Sequence, residues 1–394
     1  MKRSFGLVSL LSAVALGAMA GAASAEDPIV IGVASGQTGT LSPWDQGAAR
    51  GAQLAIEDIN AAGGVLGRQL KVAISDTKSD PSLGPTAALE VLDEGAEMVL
   101  VACDYDFGSP AAVATIAREK IAIASCAADA KFGVQGVGPM AYTMALATNG
   151  QGALMAEFAA KQAGWDKVYI MRDTSIEYTK SLCDNFRLRW IDLNGEASIV
   201  GEDTWNGIND TSIAGQISRI KATADAPKFI MWCGFTNNGS MLRQVRSAGI
   251  SVPVLGSESM DGSYWLEAVP DLTDFYIGVY ASIHGNDPDP KVAKFMERYA
   301  ATFGEPAPMG HVVTGYTAVE AWAKAANKAG SLDANEIKAV LDTFDNEALL
   351  TGPASFSPEL HINLKSPLLM MHAVNGKYEV IGRVSPEKVD PPKF

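Results

Sequence analysis

Few side chains in the 394-residue sequence could do covalent chemistry, and they are scattered. His284, His311, His361 and His372 lack metal-ligand spacing, so each reads as a surface histidine or one satisfied inside the fold. Cys103, Cys126, Cys183 and Cys233 form no CxxC pair and have no histidine nearby in sequence, which disfavours structural zinc. There is no GxSxG elbow, HExxH, Walker loop or post-strand GxGxxG. Gly136-Val137-Gly138 precedes Pro139 with no helix after it and reads as a turn. Asp104 and Asp106 form a DxD pair that could hold a cation, but they read rather as solvated or helix-capping acids. No catalytic constellation emerges, so the sequence reads as a non-enzyme without cofactor or metal.

What remains is binding chemistry at strand ends. Ser109-Pro110 reads as a helix N-cap followed by proline at the first helical position. Free N–H groups there could hold an anion such as a carboxylate, although most such starts are plain caps. Glu258 follows a strand expected over 252–255 and could pair with a ligand ammonium; alone, it is an ordinary loop acid.

The elements that would position these residues alternate. Residues 29–34 read as a buried strand and 46–62 as a helix, with Ala48, Ala52, Ala55, Ile56 and Ile59 at helical spacing and Gly63-Gly64 closing it. Further strands are expected at 70–75, 98–102 and 121–125. Met98-Val99-Leu100-Val101 is apolar throughout rather than alternating, which favours a parallel sheet covered on both faces. The rhythm restarts after Asn149, with a helix over 150–164, strands at 167–171, 197–202 and 228–232, and a helix over 239–249. Helices are expected at 290–302, 310–330 and 334–344, then a hairpin of 368–374 and 377–381 around Asn375-Gly376. Two βα series imply an α/β protein with two doubly wound units.

Composition narrows the partners. The chain is 47% hydrophobic and 19% charged, typical of a folded protein. Its net charge of −14, without a long basic run, argues against binding nucleic acid or anionic lipid. Lys2 and Arg3, an apolar run over 5–20 and Ala23-Ser24-Ala25 have the layout of a cleavable secretory signal over 1–25. Its removal leaves 369 residues and takes the net charge from −14 to −16. The mature product is expected to be soluble, exported and periplasmic.

Taken together, Thr38-Gly39-Thr40-Leu41, Arg50-Gly51-Ala52-Gln53-Leu54-Ala55, Asp58-Ile59-Asn60-Ala61-Ala62-Gly63-Gly64 and Gly67-Arg68 resemble the opening of type I periplasmic solute-binding proteins. The sequence is most similar to the leucine/isoleucine/valine-binding family of ABC importers. Met241-Leu242-Arg243-Gln244-Val245-Arg246-Ser247-Ala248-Gly249, followed by Val254-Leu255-Gly256-Ser257-Glu258, extends the resemblance across the second half. It implies two Rossmann-like lobes joined by three crossings: 26–147 with 280–353, and 148–279 with 354–394. It also implies capture of an amino acid of the branched-chain type by cleft closure, delivery to membrane permease subunits, and a monomer. The alternatives are a non-amino-acid solute (an amide, urea-like, cationic or aromatic compound) or a ligand sensor feeding a receptor.

By the same resemblance Trp44 covers the ligand, Asp106 to Ser109 receives its carboxylate, and Ala127 and Asp129 complete that site. Tyr178 and Phe235 fall at tyrosine positions of the second lobe, and Glu258 at the acid that binds the amino group. Asp106 and Asp129 stand where serine and threonine are usual. A ligand carboxylate about 4 Å from one uncompensated aspartate would lose about 1 kcal/mol in water and about 4 kcal/mol at an effective dielectric of about 20. Whether these acids face the cleft therefore decides between an amino acid and a cationic or neutral solute. Ser79 stands where one partner of the family's usual disulfide is expected. Cys103 and Cys126 end two strands expected to be neighbours, so they are either bonded or two buried thiols; Cys183 and Cys233 are a second candidate pair.

Overall fold

A computed structural model describes Met1 and residues 27–394; the remainder of the expected signal segment over 1–25 lies outside the described residues. The first series runs β1 (Ile29–Ser35), α1 (Ser42–Ala61), β2 (Leu70–Asp76), α2 (Gly84–Asp93), β3 (Ala96–Val101), α3 (Tyr105–Ile116), β4 (Ile121–Ala124) and β5 (Ala141–Thr143). The second runs α4 (Thr148–Glu157), β6 (Val168–Asp173), α5 (Glu177–Asn194), β7 (Ile199–Trp205), α6 (Ala214–Ala222), β8 (Phe229–Cys233), α7 (Asn238–Ser247), β9 (Val254–Gly256) and β10 (Phe275–Val279). Three helices follow, α8 (Pro290–Phe303), α9 (Val312–Ala329) and α10 (Ala334–Leu341). The chain ends in two hairpins, β11 (Glu347–Leu349) with β12 (Gly352–Ala354) and β13 (Leu368–Val374) with β14 (Lys377–Val384).

The first sheet has the order β2-β1-β3-β4-β5 and is parallel throughout. β1, β4 and β5 are buried at every position, as the unbroken apolar runs demand of strands covered on both faces. The second sheet has the order β14-β13-β10-β9-β8-β6-β7, parallel from β7 to β10 and antiparallel through the terminal hairpin. In each sheet the chain winds outward in both directions from a central strand pair, β1/β3 in one and β6/β8 in the other. The crevice outside the carboxyl ends of such a pair is where open α/β sheets collect ligands.

Two glycines set how the late helices return to the first sheet. A Cβ on Gly315 of α9 would lie 1.9 Å from the Ala48 carbonyl oxygen, and one on Gly51 of α1 would lie 2.0 Å from that of Val312. With no side chain at either site, α1 and α9 pack backbone to backbone. That contact brings the start of α9 alongside the start of α1, both at the crevice. Arg298 of α8 adds ion pairs to Glu57 and Asp58 of α1.

The local boundaries depart from sequence expectation in informative places. α1 begins at Ser42 rather than residue 46, because Pro43 is tolerated in a first turn whose N–H groups have no intrahelical partner; Trp44 thereby sits in that turn. α3 begins at Tyr105, so the N-cap reading of Ser109-Pro110 is wrong. Asp104 is the cap, its carboxylate accepting the Asp106 N–H at 2.8 Å, and Pro110 lies inside the helix. The Ser109 hydroxyl donates to the Tyr105 carbonyl at 2.6 Å. α4 passes after Glu157 into a π-helical turn over Phe158–Gln162. Among the described residues no helix is long and apolar enough to cross a membrane.

Candidate functional site

The two crevices face each other, and the residues at their mouths meet. On the first side, Asp45 ties the central strand pair together: its carboxyl accepts the Gly36 N–H after β1 at 2.7 Å and the Cys103 N–H after β3 at 2.8 Å. Burial pushes Asp45 up to about 7 against those two hydrogen bonds. Cys103 and Cys126, at the ends of β3 and β4, are joined in a disulfide with Cα atoms 4.5 Å apart. Cys183 of α5 and Cys233 of β8 form a second, with Cα atoms 5.9 Å apart.

On the second side, Asp173 at the end of β6 accepts N–H groups from Ser175 (2.8 Å), Gly207 (2.8 Å) and Phe235 (3.1 Å), which fixes the loops after β6, β7 and β8. Tyr178, in the first turn of α5, donates its hydroxyl to Gln151 Oε1 at 3.0 Å. Ser257 and Ser259 both donate to the Gly234 carbonyl, at 2.7 and 2.6 Å, and hold the turn that carries Glu258.

Direct contacts cross between the sides. Trp44 stacks on Phe235 with centroids 5.4 Å apart, and Phe107 lies 6.5 Å from the same ring. The Glu177 N–H donates to Asp106 Oδ2 at 2.7 Å, and the Glu177 carboxylate pairs with Lys131 Nζ at 2.5 Å. His311, just before α9, places Nε2 against Glu258 Oε1, and its Nδ1 lies 3.5 Å from Asp261 Oδ2. Burial opposes the charged imidazole, but the Glu258 and Asp261 carboxylates outweigh it and raise His311 to about 10. It is an imidazolium at neutral pH.

These contacts enclose a cavity of about 20 Å³ lined by Trp44, Asp104, Tyr178, Phe235, Glu258 and His311 with six other residues. Such a space holds about one water, so a solute enters only if the two sides separate. Of the residues expected from sequence, Trp44, Tyr178, Phe235 and Glu258 line it, whereas Asp106, Ser109, Ala127 and Asp129 do not. Asp106 receives the cross-cleft N–H of Glu177, and Asp129 closes its own turn by accepting the Lys131 N–H at 2.9 Å. The Ala127 carbonyl accepts the Thr143 hydroxyl at 2.9 Å, and Ala128 takes the lining position.

The acid that does face the cavity on the first side is Asp104. Burial, then the nearby Asp106 charge, push it up to about 8, so at neutral pH it is protonated and imposes no charge repulsion on a solute carboxylate. His311 escaped the sequence reading because its partners come from the opposite sheet and no local spacing marks it. Among the described residues, Cys103, Cys126 and His311 are the grouping with metal-ligand side chains, but the bond between the sulfurs removes both thiolates. His361 is structural, its ring stacked 3.8 Å from Tyr142 and its Nδ1 2.9 Å from the Ala141 carbonyl oxygen.

Two α/β lobes, each presenting the carboxyl ends of its sheet to a shared cleft, define a small-solute receptor of the type I, two-lobed class. Residues 28–377 match the family model described as periplasmic binding protein, and the chain belongs to that family. A leucine-, isoleucine-, valine-, threonine- and alanine-binding protein of Pseudomonas aeruginosa is 25% identical over 345 residues, 86% of this chain and 89% of that one. A Leu/Ile/Val-binding protein homolog of Brucella melitensis is 26% identical, covering 66% of this chain and 69% of its own. The branched-chain amino acid transporter substrate-binding protein LivJ of Streptococcus pneumoniae, solved with isoleucine, shares the fold at a TM-score of 0.80 and 24% identity, covering 91% of this chain and all of its own. A solute-binding protein of an R. palustris ABC transporter, solved with benzoate, shares it at 0.73 and 17% identity, covering 92% of this chain and 98% of its own.

Proposed function

We propose that the chain is the exported, periplasmic substrate-binding subunit of an ABC importer and captures an amino acid of the branched-chain type. The lobes divide as 26–147 with 280–353 and 148–279 with 354–394; the protein works as a monomer, hands its solute to membrane permease subunits, and catalyses no reaction. The observation that carries this reading is the convergence of Trp44, Tyr178 and Glu258, from both lobes, on one enclosed space. An apolar wall and a buried carboxylate suit an amphipathic solute with one ammonium group. The protonated Asp104 answers the objection that acids on the first lobe would repel its carboxylate. Closure is favoured by whatever contacts the solute makes only in the closed form.

A thermal-shift series tests it. A solute at one hundred times its dissociation constant adds about 2.7 kcal/mol of stability, which for a chain of this size is a readable rise in midpoint. Leucine, isoleucine or valine should produce it. The reading fails if none of them does while another solute class succeeds. An aromatic acid is the specific rival, favoured by the Trp44–Phe235 stack and by the fold shared with the benzoate-bound protein.

A further inference from the structure

Glu258 is not waiting for a cation. Its carboxylate is 3% exposed and His311 is 1% exposed, with Nε2 of the imidazole seated against Oε1 of the acid. The cavity lining contains no lysine or arginine, so among the described lining residues His311 is the only countercharge Glu258 has. The histidine is held in turn. Its Nδ1 faces Asp261, which accepts the Gly310 N–H at 2.5 Å, and the Tyr280 ring meets the imidazole edge-on with centroids 5.4 Å apart. A buried carboxylate loses heavily when its partner is removed and nothing replaces it. In the closed form a solute ammonium at Glu258 must therefore take the place that the imidazolium otherwise holds.

We propose that His311 is a specificity-determining residue, an internal competitor for Glu258 that admits an ammonium-bearing solute only by exchange. The proposal rests on the amine-capturing reading of Glu258 given above and adds to it that affinity is set by the difference between two cations rather than by Glu258 alone. Glu258 follows β9 in the second sheet, while His311 precedes α9, which is packed on α1 of the first lobe. The same pair thus bridges the lobes in the closed form and adds to the population of that form.

The test compares wild type with His311→Ala and the nearer-shaped His311→Gln, each checked for folding by its melting transition. Calorimetric titration uses two probes, L-leucine and 4-methylpentanoate, which has the same side chain without the ammonium. Removing the competitor should tighten leucine by at least about tenfold and leave the amine-free acid unchanged or still unbound. Equal gains for both probes, or unchanged or weaker leucine binding by folded variants, overturn the proposal. Small-angle scattering of solute-free protein supplies a readout independent of any ligand. The variants should show a larger radius of gyration than wild type, and an unchanged value overturns the pairing across the lobes. Failure of leucine to bind any of the three proteins defeats the amino-acid reading instead, and scattering then decides the role of His311.

Discussion

The backbone N–H of Glu177 donates to the carboxylate of Asp106 across the cleft, at 2.7 Å. Asp106 lies in the first turn of α3 and Glu177 opens α5, so each helix start meets the other through a contact that exists only while the lobes touch. Such a contact adds nothing to the open form and therefore biases the equilibrium toward closure. A hydrogen bond to a charged acceptor is worth about 1.5–3 kcal/mol when buried, and this partly exposed one should fall near about 1 kcal/mol. Asp106→Ala should weaken solute affinity roughly fivefold, chiefly through faster release. Equal dissociation rates for variant and wild type in stopped-flow fluorescence would count against it.

The Trp44–Phe235 stack offers a second handle on closure, since the rings come from different lobes. Stacked aromatic pairs contribute about 0.5–1.5 kcal/mol beyond their area burial. A double-mutant cycle of Trp44→Ala and Phe235→Ala should show coupling of that size in solute affinity. Additive effects within about 0.3 kcal/mol would mean that the rings do not meet in the bound state.

How much of this was legible in the sequence follows from how local each signal is. The strands were readable because runs such as Met98 to Val101 announce two-sided burial residue by residue, and β3 is buried at five of its six positions. The start of α3 was not. Ser109-Pro110 carries a strong local start signal, yet the helix begins at Tyr105, because Asp104 caps the turn and packing of the α3 face overrides a proline inside it. Glu258 was legible only through its place in a resembled segment. His311 was not legible at all: its role exists only once Gly51 and Gly315 let α9 lie against α1 and the second lobe supplies the acids.

Asp104 gives a pH signature. Burial, then the charge of Asp106, raise it from the ordinary carboxylate range to about 8 in the folded state. A folded value above the unfolded one means that the unfolded chain releases its proton first as pH rises. Stability from this group is complete below about pH 4 and is lost progressively up to about pH 8, on the order of a few kcal/mol in all. Asp104→Asn keeps an oxygen to cap α3 and cannot ionise. The variant should match wild type near pH 4 and exceed it in melting temperature by a margin that grows up to pH 8. Parallel stability curves for the two proteins across that range would show that Asp104 is ionised in the folded state.

The disulfide between Cys183 and Cys233 spans 50 residues and joins α5 to β8 beneath the cleft. Constraining a loop of that length in the unfolded chain stabilises the fold by about 4 kcal/mol at most in the chain-entropy account. Both cysteines are fully buried, so replacing them with alanine leaves only small voids and isolates the cross-link. Cys183→Ala with Cys233→Ala should lower stability by about 3 kcal/mol, a fall in melting temperature of roughly 4 °C, since an unfolding entropy of about 2.1 cal/mol/K per residue makes each kcal/mol worth about 1.3 °C in a chain of this length. The second bond, Cys103–Cys126, spans 23 residues and lines the cavity. Its removal should cost slightly less stability, because the loop is shorter, but should also alter solute affinity. Calorimetric melts and titrations of the two double variants separate these effects. If the Cys183/Cys233 variant loses affinity while the Cys103/Cys126 variant keeps it, the assignment of the cavity to the first bond is wrong.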